Sequence, residues 1–419
     1  MGKERSLLLL FVLALSLGLF NLCVSASNGR QVSSFSRLNS SAIFPIHGNV
    51  YPRGLFYVAI NIGNPPKPYY LDIDTGSDLT WLQCDAPCVS CSPGPHPFYR
   101  PKKNKLVQCV DPLCTSIRTL NSGQCELPSE QCDYEIAYAD EGSSQGVLVK
   151  DVFILPFANG SLLKTHLAFG CGYNQQSSSV NSPSPTDGVL GLGRGKPSIV
   201  SQLGDLGLTR NVVGHCFSGQ GGGYLFFGDG FVPFSSVTWT PMSRDPLLKH
   251  YSPGPVNLFF DKQPLGVRGL PVIFDSGSSY TYFASQAYKA FISAVKKDLP
   301  GKQLKEAPED GTLPLCWKGT EKFKSILDVK KFFKTLYLVF ANGKRAQLEI
   351  APAGYLIITQ NGNVCLGILN GTEIGLGNLN LIGDISMQDL MVIYDNEQHQ
   401  IGWVPADCKR IPKSGTTRL

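Results

Sequence analysis

The stretch Leu71-Asp72-Ile73-Asp74-Thr75-Gly76-Ser77-Asp78-Leu79-Thr80-Trp81-Leu82 decides how this chain is read. It puts one carboxylate, Asp74, at the end of an apolar run and follows it with a tight Thr-Gly-Ser turn. Alone, Asp-Thr-Gly is only a turn. Val272-Ile273-Phe274-Asp275-Ser276-Gly277-Ser278-Ser279-Tyr280-Thr281-Tyr282-Phe283 repeats it position by position. Thr80 falls on Thr281 and Trp81 on Tyr282, at a constant offset of 275 − 74 = 201 residues. Each copy also has a later apolar-apolar-Gly unit: Leu190-Gly191 lies 191 − 74 = 117 residues on, and Leu381-Ile382-Gly383 lies 383 − 275 = 108 residues on. Chance recurrence of a tripeptide would not carry a second element with it. The chain reads as a duplicated lobe whose chemistry lies where Asp74 and Asp275 meet.

Composition agrees. The 419 residues are 42% hydrophobic and 16% charged, with 44 Gly and 29 Pro. That supports two domains and a turn-rich, many-stranded β protein. The net charge of +5 comes from scattered basic residues, so no nucleic-acid partner is expected. The run Lys322, Lys324, Lys330, Lys331, Lys334, interleaved with phenylalanines, reads as a strand edge defended by lysine.

Residues 1–26 read as a cleaved secretory signal: Lys3 and Arg5, the apolar run Leu7 to Phe20, then Val24-Ser25-Ala26. No later stretch is long enough to span a membrane. Residues 27–50 read as a short pro-region or linker without periodicity, 51–235 as the N-terminal lobe, 236–408 as the C-terminal lobe and 409–419 as a polar tail. Of thirteen cysteines, twelve remain after Cys23 leaves with the signal, which points to six disulfides in an oxidising compartment. Seven of them lie between 84 and 132, a stapled, loop-rich insertion. No metal site is expected, because Cys88-Val89-Ser90-Cys91 lacks a second such pair. Asn39, Asn159 and Asn370 head glycosylation sequons.

Alternation predicts a strand over Cys132–Tyr138, a turn-rich tip and a return from Val147 to Leu155, a hairpin with a mobile tip. Helices are predicted over Ser198–Leu206 and Ser285–Leu299. Phe332–Phe340, Asn342-Gly343 and Ala346–Ile350 read as a second hairpin.

Lobes packed about a pseudo-twofold axis would set Asp74 against Asp275. Two carboxylates within hydrogen-bond distance share a proton, so one acts as acid and the other as base. A water between them attacks a carbonyl while the protonated group donates to the carbonyl oxygen. Amide hydrolysis then needs no cofactor. Gly76 and Gly277 permit the tight turns. Ser77 and Ser278 can hold the carboxylates in plane, and Thr75 or Ser276 can bond across the interface.

These residues resemble the pepsin-like aspartic endopeptidase family. The resemblance runs from about Tyr57 to Trp403 and is carried by Asp74-Thr75-Gly76-Ser77, Asp275-Ser276-Gly277-Ser278, Gly188-Val189-Leu190-Gly191-Leu192 and Leu381-Ile382-Gly383-Asp384. It implies an all-β, bilobal fold: two β-barrel-like lobes, an active cleft between them and a few short helices. Tyr138 looks like the family's flap tyrosine, with Trp81 placed to hydrogen-bond it, and Cys316–Cys365 resembles the second-lobe disulfide. The Cys-rich stretch after Trp81 resembles the plant nucellin-like, or atypical, type. The resemblance implies a secreted, monomeric peptidase that acts on peptide or protein substrates in acid, in the apoplast or vacuole. Three features depart from typical members: no saposin-like insertion, a pro-region too short for a full inhibitory segment, and Ala139-Asp140-Glu141 near the flap tip. The rival is a silent binding protein on this fold, as xylanase-inhibitor proteins are. A two-carboxylate glycosidase finds no sugar platform in the sequence.

Overall fold

The computed structural model describes residues 40–86, 91–117, 125–139, 141–176, 184–243, 250–341 and 346–412. The expected signal, Asn39, Cys88 and Asp140 lie outside them.

Period-two alternation builds the first lobe. β1 (Ala42–Asn49) buries Ala42, Phe44 and Ile46 and turns Pro45 and His47 out. This corrects the expectation of a linker over 27–50: its last third is a paired strand. Pro45 and Gly48 hid the alternation, since both are usual strand breakers. β2 (Leu55–Ile62) buries Phe56, Val58, Ile60 and Ile62. β3 (Lys67–Asp74) buries Tyr69, Leu71 and Ile73 and presents Tyr70 and Asp72 on its other face. Then follow β4 (Trp81–Gln83), β5 (Asp133–Ala137), β6 (Ser143–Pro156), β7 (Leu162–Gln176), β8 (Gly188–Gly191), β9 (Val212–Phe217) and β10 (Gly223–Phe227).

Among the described residues the largest sheet has thirteen strands. From one edge these are Thr238–Pro241, Gln400–Pro405, Leu390–Asp395, β9, β10, β1, β2, β3, β8, β4, β7, β6 and β5. The last two strands of the chain therefore return to the first half. Leu390–Asp395 runs antiparallel to β9, from Met391 opposite Cys216 to Asp395 opposite Val212. Dividing the chain at 235/236 overlooks this shared sheet. The Cys216–Cys408 disulfide holds it across 192 residues of sequence.

The second lobe packs a hairpin and the helix Ser285–Asp298, whose Ala287, Phe291 and Val295 face inward. Leu336–Phe340 pairs with Gln347–Ile350, Leu336 opposite Ile350. Burying a side chain the size of Phe291 stabilises by about 1.5–3 kcal/mol. The lysine-rich segment is not a strand edge. It forms a helical turn, Ile326–Val329, and a second one, Lys330–Phe332. Ser325 and Asp328 form a capping box there, which sequence alternation could not reveal.

The duplication is visible in the pairing. β3 runs parallel to β8, and Ile273–Phe274 parallel to Leu381–Ile382. β4 runs antiparallel to β8, and Thr281–Phe283 antiparallel to Leu381–Ile382. β4 runs parallel to β7, and Thr281–Phe283 parallel to Ile368–Asn370. Each Asp turn thus springs from the same knot of three strand pairings.

The insertion is tied by Cys109–Cys125 and Cys114–Cys132, and Cys84 reaches outside it to Cys171. Cys316–Cys365 closes the second lobe. Cys91 is also disulfide-bonded.

Candidate active site

β3 ends on Asp74 and Ile273–Phe274 runs straight into Asp275, and the Gly two residues after each acid lets the chain turn back. The two turns grip one another. Thr75 N donates to Ser276 Oγ at 3.1 Å, and Ser276 N donates to Thr75 Oγ1 at 2.9 Å. Thr75 Oγ1 donates to Phe274 O at 3.1 Å, and Ser276 Oγ to Ile73 O at 3.0 Å. All four bonds are buried, so losing either hydroxyl would strand a partner at a cost of about 1–3 kcal/mol.

This latch sets the carboxylates against each other. A Cβ on Gly76 would lie 2.5 Å from Asp275 Oδ1, and one on Gly277 would lie 2.6 Å from Asp74 Oδ1. Glycine is required at both positions because the opposite lobe's carboxylate occupies that space. Each acid is fixed within its own turn as well. Gly76 N donates to Asp74 Oδ1 at 2.8 Å and Gly277 N to Asp275 Oδ1 at 3.0 Å. Ser77 Oγ donates to Asp74 Oδ2, and Ser278 Oγ to Asp275 Oδ2 at 2.8 Å. Thr80 and Thr281 accept from Gly191 N and Gly383 N at 3.1 and 3.2 Å, tying each turn to its apolar-apolar-Gly unit.

Asp74 is buried, 7% exposed. Burial first, and then the Asp275 carboxylate, hold its pKa well above the usual carboxylate range against the lowering bonds from Ser77 and Gly76. The pair therefore keeps a proton in acid and gives it up as pH approaches neutral.

Over the first turn stands the tip of the β5–β6 hairpin. Trp81 Nε1 donates to Tyr138 Oη at 2.6 Å, and the Ser77 hydroxyl also lies against Tyr138. Burial, then the nearby Asp74 carboxylate, push the Tyr138 hydroxyl up, so it stays protonated. The tip closes through Tyr138 N to Gly142 O at 2.8 Å, with Glu141 at φ 67°.

Two other carboxylates belong to this neighbourhood and were not singled out from the sequence. Asp72 stands two residues before Asp74 on β3, and strand alternation puts both on one face. Asp384, 1% exposed, follows the second Gly unit, and burial, then Asp275, raise its pKa. The sequon residues differ. Asn159 is exposed at the β6–β7 turn. Asn370 is 9% exposed, with its Nδ2 donating to Glu373 Oε1 at 2.7 Å and its Oδ1 accepting from Ser285 Oγ. The one three-residue group of metal-ligating side chains among the described residues, Asp310 with Cys316 and Cys365, uses sulfurs already joined in a disulfide.

Known proteins match this chain over most of its length. Models of the Xylanase inhibitor N-terminal and C-terminal domains match residues 56–229 and 261–405. A rice (Oryza sativa subsp. japonica) protein named an aspartic proteinase is 52% identical over 90% of this chain and 93% of its own length. Aspartic proteinase 39 of Arabidopsis thaliana is 30% identical, over 89% of this chain and 79% of its own. In three dimensions basic 7S globulin from soybean superposes with a TM-score of 0.69 at 17% identity, covering 90% of this chain and 99% of that one.

Proposed function

The chain belongs to the pepsin-like aspartic proteinase family, in the branch that shares the xylanase-inhibitor domains, and from that premise we propose that it is an active aspartic endopeptidase. One observation carries the reading: both carboxylates are present, mutually latched, and each fills the other glycine's side-chain space. The buried Asp74 side favours the shared proton, and Asp275 is the base toward a water held between them. The water attacks the amide carbon, the Asp74 proton goes to the carbonyl oxygen, and the tetrahedral intermediate collapses with proton transfer to the leaving nitrogen. Tyr138 closes over the substrate, its hydroxyl aimed by Trp81. The substrate is an extended peptide held by strand-like backbone bonds.

The proposed setting is the secretory pathway, with delivery to the apoplast or vacuole and action as a monomer. The leader-like 1–26 and the described disulfides support it. No helix among the described residues is long and apolar enough to cross a membrane.

The second reading, a binding protein without catalysis, draws on the domain names and on the fold shared with a seed globulin. Digestion of a denatured protein at about pH 3–6 decides between them. Mature protein should cleave, pepstatin should stop it, and Asp74→Asn should be inert. No cleavage by any preparation across that range would remove the peptidase reading.

A further inference from the structure

Two residues before each paired acid, the two copies of the Asp turn differ in kind: Asp72 in the first, Ile273 in the second. In the second lobe Ile273 stands opposite Leu381, and Leu381 opposite Tyr282. These pack as an apolar group with Leu376. In the first lobe the same register positions hold Asp72, Val189 and Trp81. The fold is thus satisfied by an apolar residue where the first lobe has an acid.

Asp72 is costly there. Its Oδ1 is buried without a hydrogen-bond partner, and its Oδ2 accepts only from Thr186 Oγ1, at 3.0 Å. Among the described residues no lysine or arginine forms an ion pair with it; the charges that feel it are the carboxylates of Asp74 and Asp384. Burial, opposed by Thr186, pushes its pKa to about 7, so the carboxyl is neutral in acid, and an arriving cation would release that proton.

Its position adjoins the paired acids. The residue is partly exposed, two residues before Asp74 on the same face. Across β2 its partner is Tyr57, whose ring centroid lies 5.0 Å from that of Tyr70, both partly exposed. On the other side the row ends at Trp81, which carries Tyr138. An unpaired carboxyl beside aromatic faces suits a cationic side chain on an aliphatic stem.

Resting on the reading of this cleft as a peptide groove, we propose that Asp72 selects substrates with a lysine or arginine near the scissile bond. Its carboxylate pairs with the cation, and Tyr57 flanks the stem.

Paired peptides that differ only in lysine against norleucine test this, with wild type, Asp72→Asn and Asp72→Ile. The second variant installs the residue type the other lobe uses, so it should fold. Wild type should favour the lysine peptide about tenfold in kcat/KM, the scale of one charge-assisted bond. Both variants should lose the preference while still cleaving the norleucine peptide. An equal preference in all three, or none in wild type, overturns the proposal. A binding arm separates this from the peptidase reading. Fluorescence anisotropy of the same peptides is measured on Asp74→Asn with and without Asp72→Asn. If wild type cleaves nothing but the lysine peptide still binds tighter only when Asp72 is present, the selectivity stands without catalysis. Equal binding of both peptides overturns it.

Discussion

The two Asp turns are held alike and covered differently. Each is knotted by the same three strand pairings, carries a Gly-N–H and a Ser hydroxyl on its carboxylate, and anchors a Thr to a Gly unit. Above them the symmetry ends. β4 lies beside β7, a fifteen-residue strand that pairs along β6, and β6 carries the hairpin tip with Tyr138. In the second lobe the strand at the same place, Ile368–Asn370, has three residues and, among the described residues, carries no such hairpin. Trp81 therefore supports a cover, whereas its counterpart Tyr282 packs against Ile273 and its apolar neighbours. Geometry that must bring two equal groups together is kept twofold. The cover stands over one turn alone.

The largest test breaks the equality itself. Asp74→Asn and Asp275→Asn should each lower kcat by about 10³–10⁴-fold in a peptide-cleavage assay, with melting temperatures little changed. A variant retaining a tenth of wild-type turnover would mean that its carboxylate is not part of a shared pair. Next come Gly76→Ala and Gly277→Ala. The added carbon would lie 2.5–2.6 Å from the opposite carboxylate, so both should cost about 100-fold in kcat. A loss in only one of them would show that the turns do not meet symmetrically.

Stability against pH separates the cleft from the shared sheet. Asp72 has its pKa raised to about 7, so its stabilisation is complete below the unfolded value near 3.8 and is lost as pH rises through about 7. His215, buried in β9 against Phe217 and Tyr394, has its pKa lowered to about 3 by burial. Its stabilisation is complete above about 6.5 and is lost as pH falls toward about 3. Each contributes a slope of about 1.4 kcal/mol per pH unit inside its window, and the two signs oppose. Denaturant titrations should show Asp72→Asn flattening the decline toward neutral pH and His215→Asn flattening the decline toward acid. The same curve for both variants and wild type would refute the assignment.

The smallest effect concerns the lid. Trp81→Phe removes the donor to Tyr138 and should lower kcat/KM by about three- to tenfold, the worth of one hydrogen bond. Tyr282→Phe, at the matching place in the other lobe, should leave turnover within about twofold. Equal losses would place a cover over the second turn as well.

Much of this was legible in the residues. The repeat around Asp74 and Asp275 is local and its pattern survives because each turn needs the same atoms in the same order. The helices at Ser285–Asp298 and Ile199–Asp205 and the hairpin ending at Ile350 follow from short-range periodicity. β1 was hidden because Pro45 and Gly48 break the alternation, although its inward residues keep it. The lysine-rich turn was misread because capping by Asp328, rather than alternation, organises it.

By itself the sequence determined that two equal acid-bearing turns exist, which side chains hold each carboxylate, and that cysteines staple the segment after Trp81. Only the tertiary structure decided what those turns do to one another. The Thr75–Ser276 latch, the return of Leu390–Asp395 to β9, the engagement of Asn370 and the lone acid at Asp72 all join residues distant in the chain. Such contacts carry no local periodicity. They are set by which faces are left to pack once each lobe has formed, and by the demand that every buried polar group find a partner or await one.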